Sequence, residues 1–203
     1  MKRFSPTAFL LVLFVGVFAA TPVSAATDGA RNFVQSLSNE VIGVIESKSS
    51  DSAKSDKLKE IFLRSVDTDW MSRFVMGANY RALKDGQKQE YTNLYKDFLV
   101  YSYVPRFKEY TGEKLKIINI REDKNNEFFV QTELVRSSDK PAVRVDYRLR
   151  QKDGSYKLID IIGEGVSLIT TQRSDFAGVI SRQGSDAFIK MLTERVKNLK
   201  AKS

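Results

Sequence analysis

The stretch VRVDYRLR, Val143 to Arg150, alternates without a break. In an extended chain Val143, Val145, Tyr147 and Leu149 point one way, and Arg144, Asp146, Arg148 and Arg150 the other. Three arginines and an aspartate cannot be buried unpaired at acceptable cost, so this reads as a strand whose apolar row faces inward. That row covers either an ordinary core or the wall of a cavity, and the alternation alone does not say which.

Three neighbouring segments share the pattern: KLKIINIRE, EFFVQTELVR and SYKLIDIIG. Turn chemistry separates the four at Asp123 to Asn126, Ser137 to Pro141 and Asp153-Gly154. Links this short join antiparallel neighbours, so residues 114–163 form a four-stranded antiparallel meander.

Helical spacing governs the chain on either side. Phe33, Leu37, Val41, Val44 and Ile45 mark an amphipathic helix over residues 29–47, with Asp28 available as its cap and the polar stretch SKSSDSAKSD ending it. A short helix follows around Leu58, Ile61 and Phe62, and another runs from Asp69 to Gly77. A long helix begins after Asp85-Gly86 and carries Tyr91, Leu94, Tyr95, Phe98 and Leu99 to a kink or break at Pro105. Tyr103 and Phe107, one turn apart, form a single packing stripe. From Ser167 onward helical spacing returns with Phe176, Val179, Ile180, Phe188, Ile189, Leu192 and Val196. Helices, then a meander, then helices define an α+β fold with the helices on one sheet face.

The chain opens with Lys2 and Arg3, an apolar run from Ala8 to Ala20, and Val23-Ser24-Ala25. That order is a secretory signal peptide over residues 1–25, its run shorter than the roughly 20 residues of a membrane span. Residues 26–203 are then one domain: helical over 26–110, sheet over 114–163, and C-terminal helices over 167–198.

Composition narrows the chemistry. There is no cysteine and no histidine, which removes thiol nucleophiles, thiolate metal sites and the commonest general base. The formal charge is +8, of which Lys2 and Arg3 supply two. On an exported protein the remainder suits solubility, an anionic membrane surface or an acidic partner, and not nucleic acid. Gly163-Glu164-Gly165 lacks the third glycine and the lysine of a phosphate loop and reads as a tight exit from the last strand. Asp160 and Glu164 are a carboxylate pair that could do acid/base work in a hydrolase, but no nucleophile system stands beside them; pairing with an arginine or capping a backbone group is the plainer role for Asp160. Aromatics crowd residues 70–110, which suits a bulky core or a cavity greasy inside and wet at its mouth.

The stretch DIIGEGVSLITTQRSDFAGVISRQGSDAFIKML, Asp160 to Leu192, strongly resembles the C-terminal signature of the MlaC family, the periplasmic phospholipid-binding components of the Mla system, also called toluene-tolerance proteins. FVMGANYRALKDGQKQEY, FLVYSYVPRFKEYTGE and YKLIDIIGEGVSL resemble further family segments in the same order, so the likeness spans residues 30–195. Met76 and Tyr156 depart from the family's usual leucine and tryptophan, both preserving bulk. The resemblance implies an NTF2-like curved sheet and a hydrophobic pocket for the acyl chains of a phospholipid. Trp70, Phe74, Tyr80, Tyr103, Phe107, Val130, Val145, Tyr147 and Val166 are then expected near that pocket, Val166 and Tyr103 from inside matched motifs. Arg81 and Arg173 would meet the head group or a partner, or form surface ion pairs.

The family further implies a monomeric carrier with no cofactor and no catalysis in the periplasm of a Gram-negative bacterium. Its partners would be an outer-membrane lipoprotein-porin complex and an inner-membrane ABC transporter with an MCE-domain ring, and its purpose the maintenance of outer-membrane lipid asymmetry. Some members serve hopanoids, and nothing in the residues distinguishes that cargo from phospholipid.

Overall fold

The computed structural model describes residues 23–136 and 141–202. The leader up to residue 22 and most of the turn expected at Ser137 to Pro141 lie outside the described residues.

Alternation produces the sheet. Strands β1 (Lys114–Asp123), β2 (Glu127–Val135), β3 (Val143–Lys152) and β4 (Ser155–Gly163) pair antiparallel in chain order. Asp153 and Gly154 both take positive φ (50° and 74°) between paired Lys152 and Ser155, the backbone a two-residue hairpin needs. A fifth strand, β5 (Val166–Ser167), corrects the expected four; at two residues it is too short to show a period. The expected tight exit is present, with Glu164 and Gly165 at φ 48° and 83°, and it turns the chain back so that Val166 pairs with Gly163.

Six helices account for most of the rest: α1 (Val23–Glu46), α2 (Asp51–Ser65), α3 (Thr68–Met76), α4 (Ala78–Ala82), α5 (Asp85–Tyr103) and α6 (Leu168–Lys200). α1 starts ahead of Asp28, which therefore lies inside the helix and not at its cap. The polar linker is shorter than its composition suggests, because Ser50 accepts a hydrogen bond from the Ala53 N–H and starts α2 within it. Pro105 ends α5 as expected, and the chain continues as a 3₁₀ segment over Val104–Glu109. That change of pitch separates Tyr103 from Phe107. Tyr103 packs against the main core, whereas Phe107 joins a second cluster around Leu58, Val100 and Val104. Among the described residues, no helix is long and apolar enough to cross a membrane.

The main core joins α1, α3, α5 and α6 to the apolar sheet face. Tyr91, Tyr95, Phe176 and Phe188 meet ring to ring within it, and Phe128, Val130 and Leu149 supply the sheet's share.

The polar row of β3 is not simply a solvent face. Glu127, buried on β2, receives Arg148 at 2.5 Å and Arg150 at 2.7 Å, and Arg150 also lies 4.3 Å from the Trp70 ring centroid in α3. Asp146 is 1 % exposed and paired with Arg144 at 2.8 Å. Helices therefore reach this side too, because every charge there is matched before it is covered.

Candidate functional site

Register decides which side chains share the apolar face. Val130 stands opposite Tyr147 and Ile120, and Tyr147 opposite Ile161. One row further along are Ile117 and Thr132, then Val145, Gly163 and Val166. Beyond these, Leu115, Leu134 and Val143 are aligned across three strands.

Burial along this face is uneven. Phe128, Val130 and Leu149 are at most 1 % exposed at one end of the sheet, where Phe128 meets the Tyr156 ring and Tyr156 meets Phe33 of α1. Leu115, Ile117, Leu134, Val143, Val145 and Ile161, toward the other end, are only half-buried, although Thr132 among them is 1 % exposed. Val166 is 63 % exposed. Gly163 leaves a gap in its row, since a Cβ added there would meet nothing within 4 Å. The apolar face is thus sealed at one end and open at the other.

Tyr147 stands where the two regimes meet. Desolvation alone pushes its hydroxyl up to about 12, with no hydrogen bond or charge contributing, yet the residue keeps accessible surface.

The carboxylates of the hydrolase alternative hold backbone. Asp160, 3 % exposed, accepts the Ser167 hydroxyl at 2.6 Å and the Ile169 N–H at 3.2 Å, fastening the start of α6 to β4. Burial raises its carboxyl above the usual range, against the pull of those donors and of Arg148. Glu164 accepts the Arg144 N–H at 2.7 Å.

The remaining expected residues divide by place. Trp70 and Phe74 stack at 5.0 Å on α3, at the margin of the main core. Tyr80 meets Tyr91 edge to face and lies with Tyr103 at the same margin. Val130 is fully buried core, and Phe107 belongs to the second cluster. Val145, Tyr147 and Val166 are brought together at the half-open end. Arg173 lies 4.9 Å from the Phe74 ring centroid and donates to the Phe74 carbonyl at 3.1 Å, closing the end of α3; Arg81 is exposed on α4. Two surface clefts, of about 490 and 330 Å³, lie elsewhere, one at Asp67, Lys96, Arg150 and Lys157 and one between α5 and α6 at Glu90 and Lys190.

Sequence reasoning missed Leu115, Ile117, Leu134 and Ile161. Their alternation is plain, but only cross-strand register ranks them along the face.

A meander with one apolar face left half-covered by helices is the architecture of a binding module for an apolar ligand. The family model described as MlaC protein matches residues 35–194, and the chain belongs to that family. It is 18 % identical over 188 residues to the intermembrane phospholipid transport system binding protein MlaC of Haemophilus influenzae, covering 89 % of this chain and 88 % of that one. It is 25 % identical over 182 residues to the toluene tolerance protein ttg2D of Pseudomonas putida, covering 87 % and 83 %. The fold is similar to that of a phospholipid-binding protein from Ralstonia solanacearum solved in complex with a phospholipid, with a TM-score of 0.73 at 20 % identity, covering 84 % of this chain and 98 % of that one.

Proposed function

We propose that this protein is a periplasmic carrier that holds a phospholipid by its acyl chains against the half-open end of the sheet. The observation that carries the reading is Tyr147, desolvated yet accessible, with Val145 and Val166 continuing the apolar face toward solvent. Membership of the MlaC family and the leader-like residues 1–25 support it.

Each methylene withdrawn from water is worth about 0.8 kcal/mol, so a lipid with roughly 30 chain carbons faces an escape barrier on the order of 20 kcal/mol. A protein that offers hydrocarbon an equally apolar wall removes most of that barrier. Because this wall stands in for the hydrocarbon of the bilayer, the net affinity stays low enough for release. Transfer then proceeds without making or breaking a bond. On this reading the carrier exchanges lipid between an outer-membrane lipoprotein-porin complex and an inner-membrane ABC transporter with an MCE-domain ring, and so maintains outer-membrane lipid asymmetry.

Organic extraction of the purified, processed protein followed by mass analysis tests this. Near-equimolar phospholipid is expected. A folded sample that yields no lipid overturns the proposal, and a hopanoid in the extract replaces the cargo while keeping the carrier.

A further inference from the structure

Tyr95, Gln172 and Tyr103 form a hydrogen-bond chain whose direction is fixed by chemistry. The Tyr95 hydroxyl donates to Gln172 Oε1 at 2.6 Å, and Gln172 Nε2 donates to the Tyr103 hydroxyl oxygen at 3.3 Å. Tyr95 is 0 % exposed and Gln172 6 %. Turning the amide over would make Nε2 donate to Tyr95 and leave the Tyr95 proton without an acceptor in a dry core, which costs the full desolvation of that donor. The chain therefore runs outward and ends at Tyr103. That hydroxyl has accepted one bond and still carries its own proton, which finds no acceptor among the described residues.

The electrostatics at Tyr103 point the same way. Burial raises the Tyr103 hydroxyl above its ordinary value, and the charges of Arg106 and Arg195 pull against that rise. Both are exposed, and neither takes part in an ion pair among the described residues. Arg195 is held 5.1 Å from the Phe98 ring centroid. A spare hydroxyl donor would accept any neutral oxygen or water as a partner. Two unneutralised guanidinium groups beside it select an anionic one.

We infer that Tyr103 donates its hydroxyl proton to a phosphate oxygen of the ligand, with Arg106 and Arg195 balancing the phosphate charge and Gln172 orienting the tyrosine. Where that phosphate is a lipid head group, the inference rests on the carrier reading and adds to it a site for the polar end. The same chemistry would hold free phosphate.

The test uses the processed chain stripped of lipid and three variants: Tyr103→Phe, which keeps the ring, Gln172→Glu, and the surface double variant Arg106→Gln/Arg195→Gln. Retention of phosphatidylglycerol and of a diacylglycerol with the same tails is measured against acceptor vesicles of phosphatidylcholine, and inorganic phosphate is titrated separately by phosphorus NMR. Tyr103→Phe is expected to lose about tenfold in phosphatidylglycerol retention, the scale of a hydrogen bond to a charged group, and to hold diacylglycerol as the parent does. The double variant should show the same selectivity and remove its salt dependence. Gln172→Glu should also weaken phosphatidylglycerol retention, because its carboxylate accepts the hydrogen bond that the Tyr103 hydroxyl would otherwise donate to the phosphate. If the parent responds to inorganic phosphate and Tyr103→Phe does not, the site stands and its ligand is the free anion. Equal losses for both lipids, or no loss in Tyr103→Phe and in the double variant alike, overturn the inference. A parent that retains neither lipid overturns the carrier reading instead, and the phosphate titration then decides the site by itself. Should Tyr103→Phe fail to fold, the double variant, whose side chains are exposed, decides.

Discussion

Asp146 takes the place of a backbone partner. Between the paired positions Val130 with Tyr147 and Glu133 with Arg144, the β2–β3 ladder is interrupted. There the Thr132 N–H goes to Asp146 Oδ1 at 3.1 Å, while Oδ2 takes Arg144 Nε at 2.8 Å. Asp146→Ala leaves that N–H buried without an acceptor, at a cost of about 1–3 kcal/mol, and Asp146→Asn recovers part of it through the remaining carbonyl oxygen. Urea unfolding of the three proteins should rank them wild type, Asn, Ala. Asp160 adds a pH dependence. Burial raises its carboxyl in the fold, so the folded chain binds that proton more tightly than the unfolded one does. The resulting stabilisation is complete below the unfolded value, declines as pH rises through the folded value, and is absent above it. Thermal melts at pH 7, 5 and 4 should show wild type gaining on Asp160→Asn as the pH falls; a constant difference contradicts the shift. At this scale the sequence revealed which way each side chain of Val143 to Arg150 points. It did not reveal that Asp146 is buried, because its partners include a backbone N–H on another strand. Nor did it reveal that Glu127 serves two arginines, since their convergence depends on register.

Elements were more legible than single residues, because a period sums over many positions. The four long strands and the runs of α1, α3 and α5 follow from spacing, and Pro105 marks the end of α5. Features resting on one or two residues were not legible: β5, the cap at Ser50, and the break in α6 at Gly184. Gly184 has φ 82° and ψ 167°, a conformation that only glycine adopts without strain, while the space its Cβ would fill is empty. Gly184→Ala therefore isolates backbone strain from crowding and should destabilise by about 1–3 kcal/mol. Gly43, within α1, also faces open space but has ordinary helical geometry, so Gly43→Ala should stabilise by roughly 0.5–1 kcal/mol. Melting temperatures should move in opposite directions, by about 2–4 °C per kcal/mol for a chain of this size. Equal shifts would mean that the break is not held by the glycine.

For the whole molecule, what matters is that one face of one sheet is sealed at one end and open at the other. The alternation identified that face but left core and cavity undecided, because half-burial depends on what other elements pack over each row and not on any residue's type. Val166 offers a way to separate ligand binding from folding. It lies on the apolar face beyond Val145 and Gly163, yet is 63 % exposed, so a charge there displaces no packed side chain. Surface substitutions of this kind usually stay within about 0.5 kcal/mol. A hydrocarbon chain lying along the same row would instead have to cover a carboxylate, which is expensive without a partner. Val166→Glu is therefore expected to unfold cooperatively, with the midpoint of the lipid-stripped wild type, while retaining less than about a tenth of the wild-type lipid. Adding phospholipid should raise the melting temperature of wild type and leave that of the variant unchanged, since a ligand stabilises only the state that binds it. Wild-type lipid content in Val166→Glu would mean that the chains do not reach this end of the sheet, and the open face would then need another occupant.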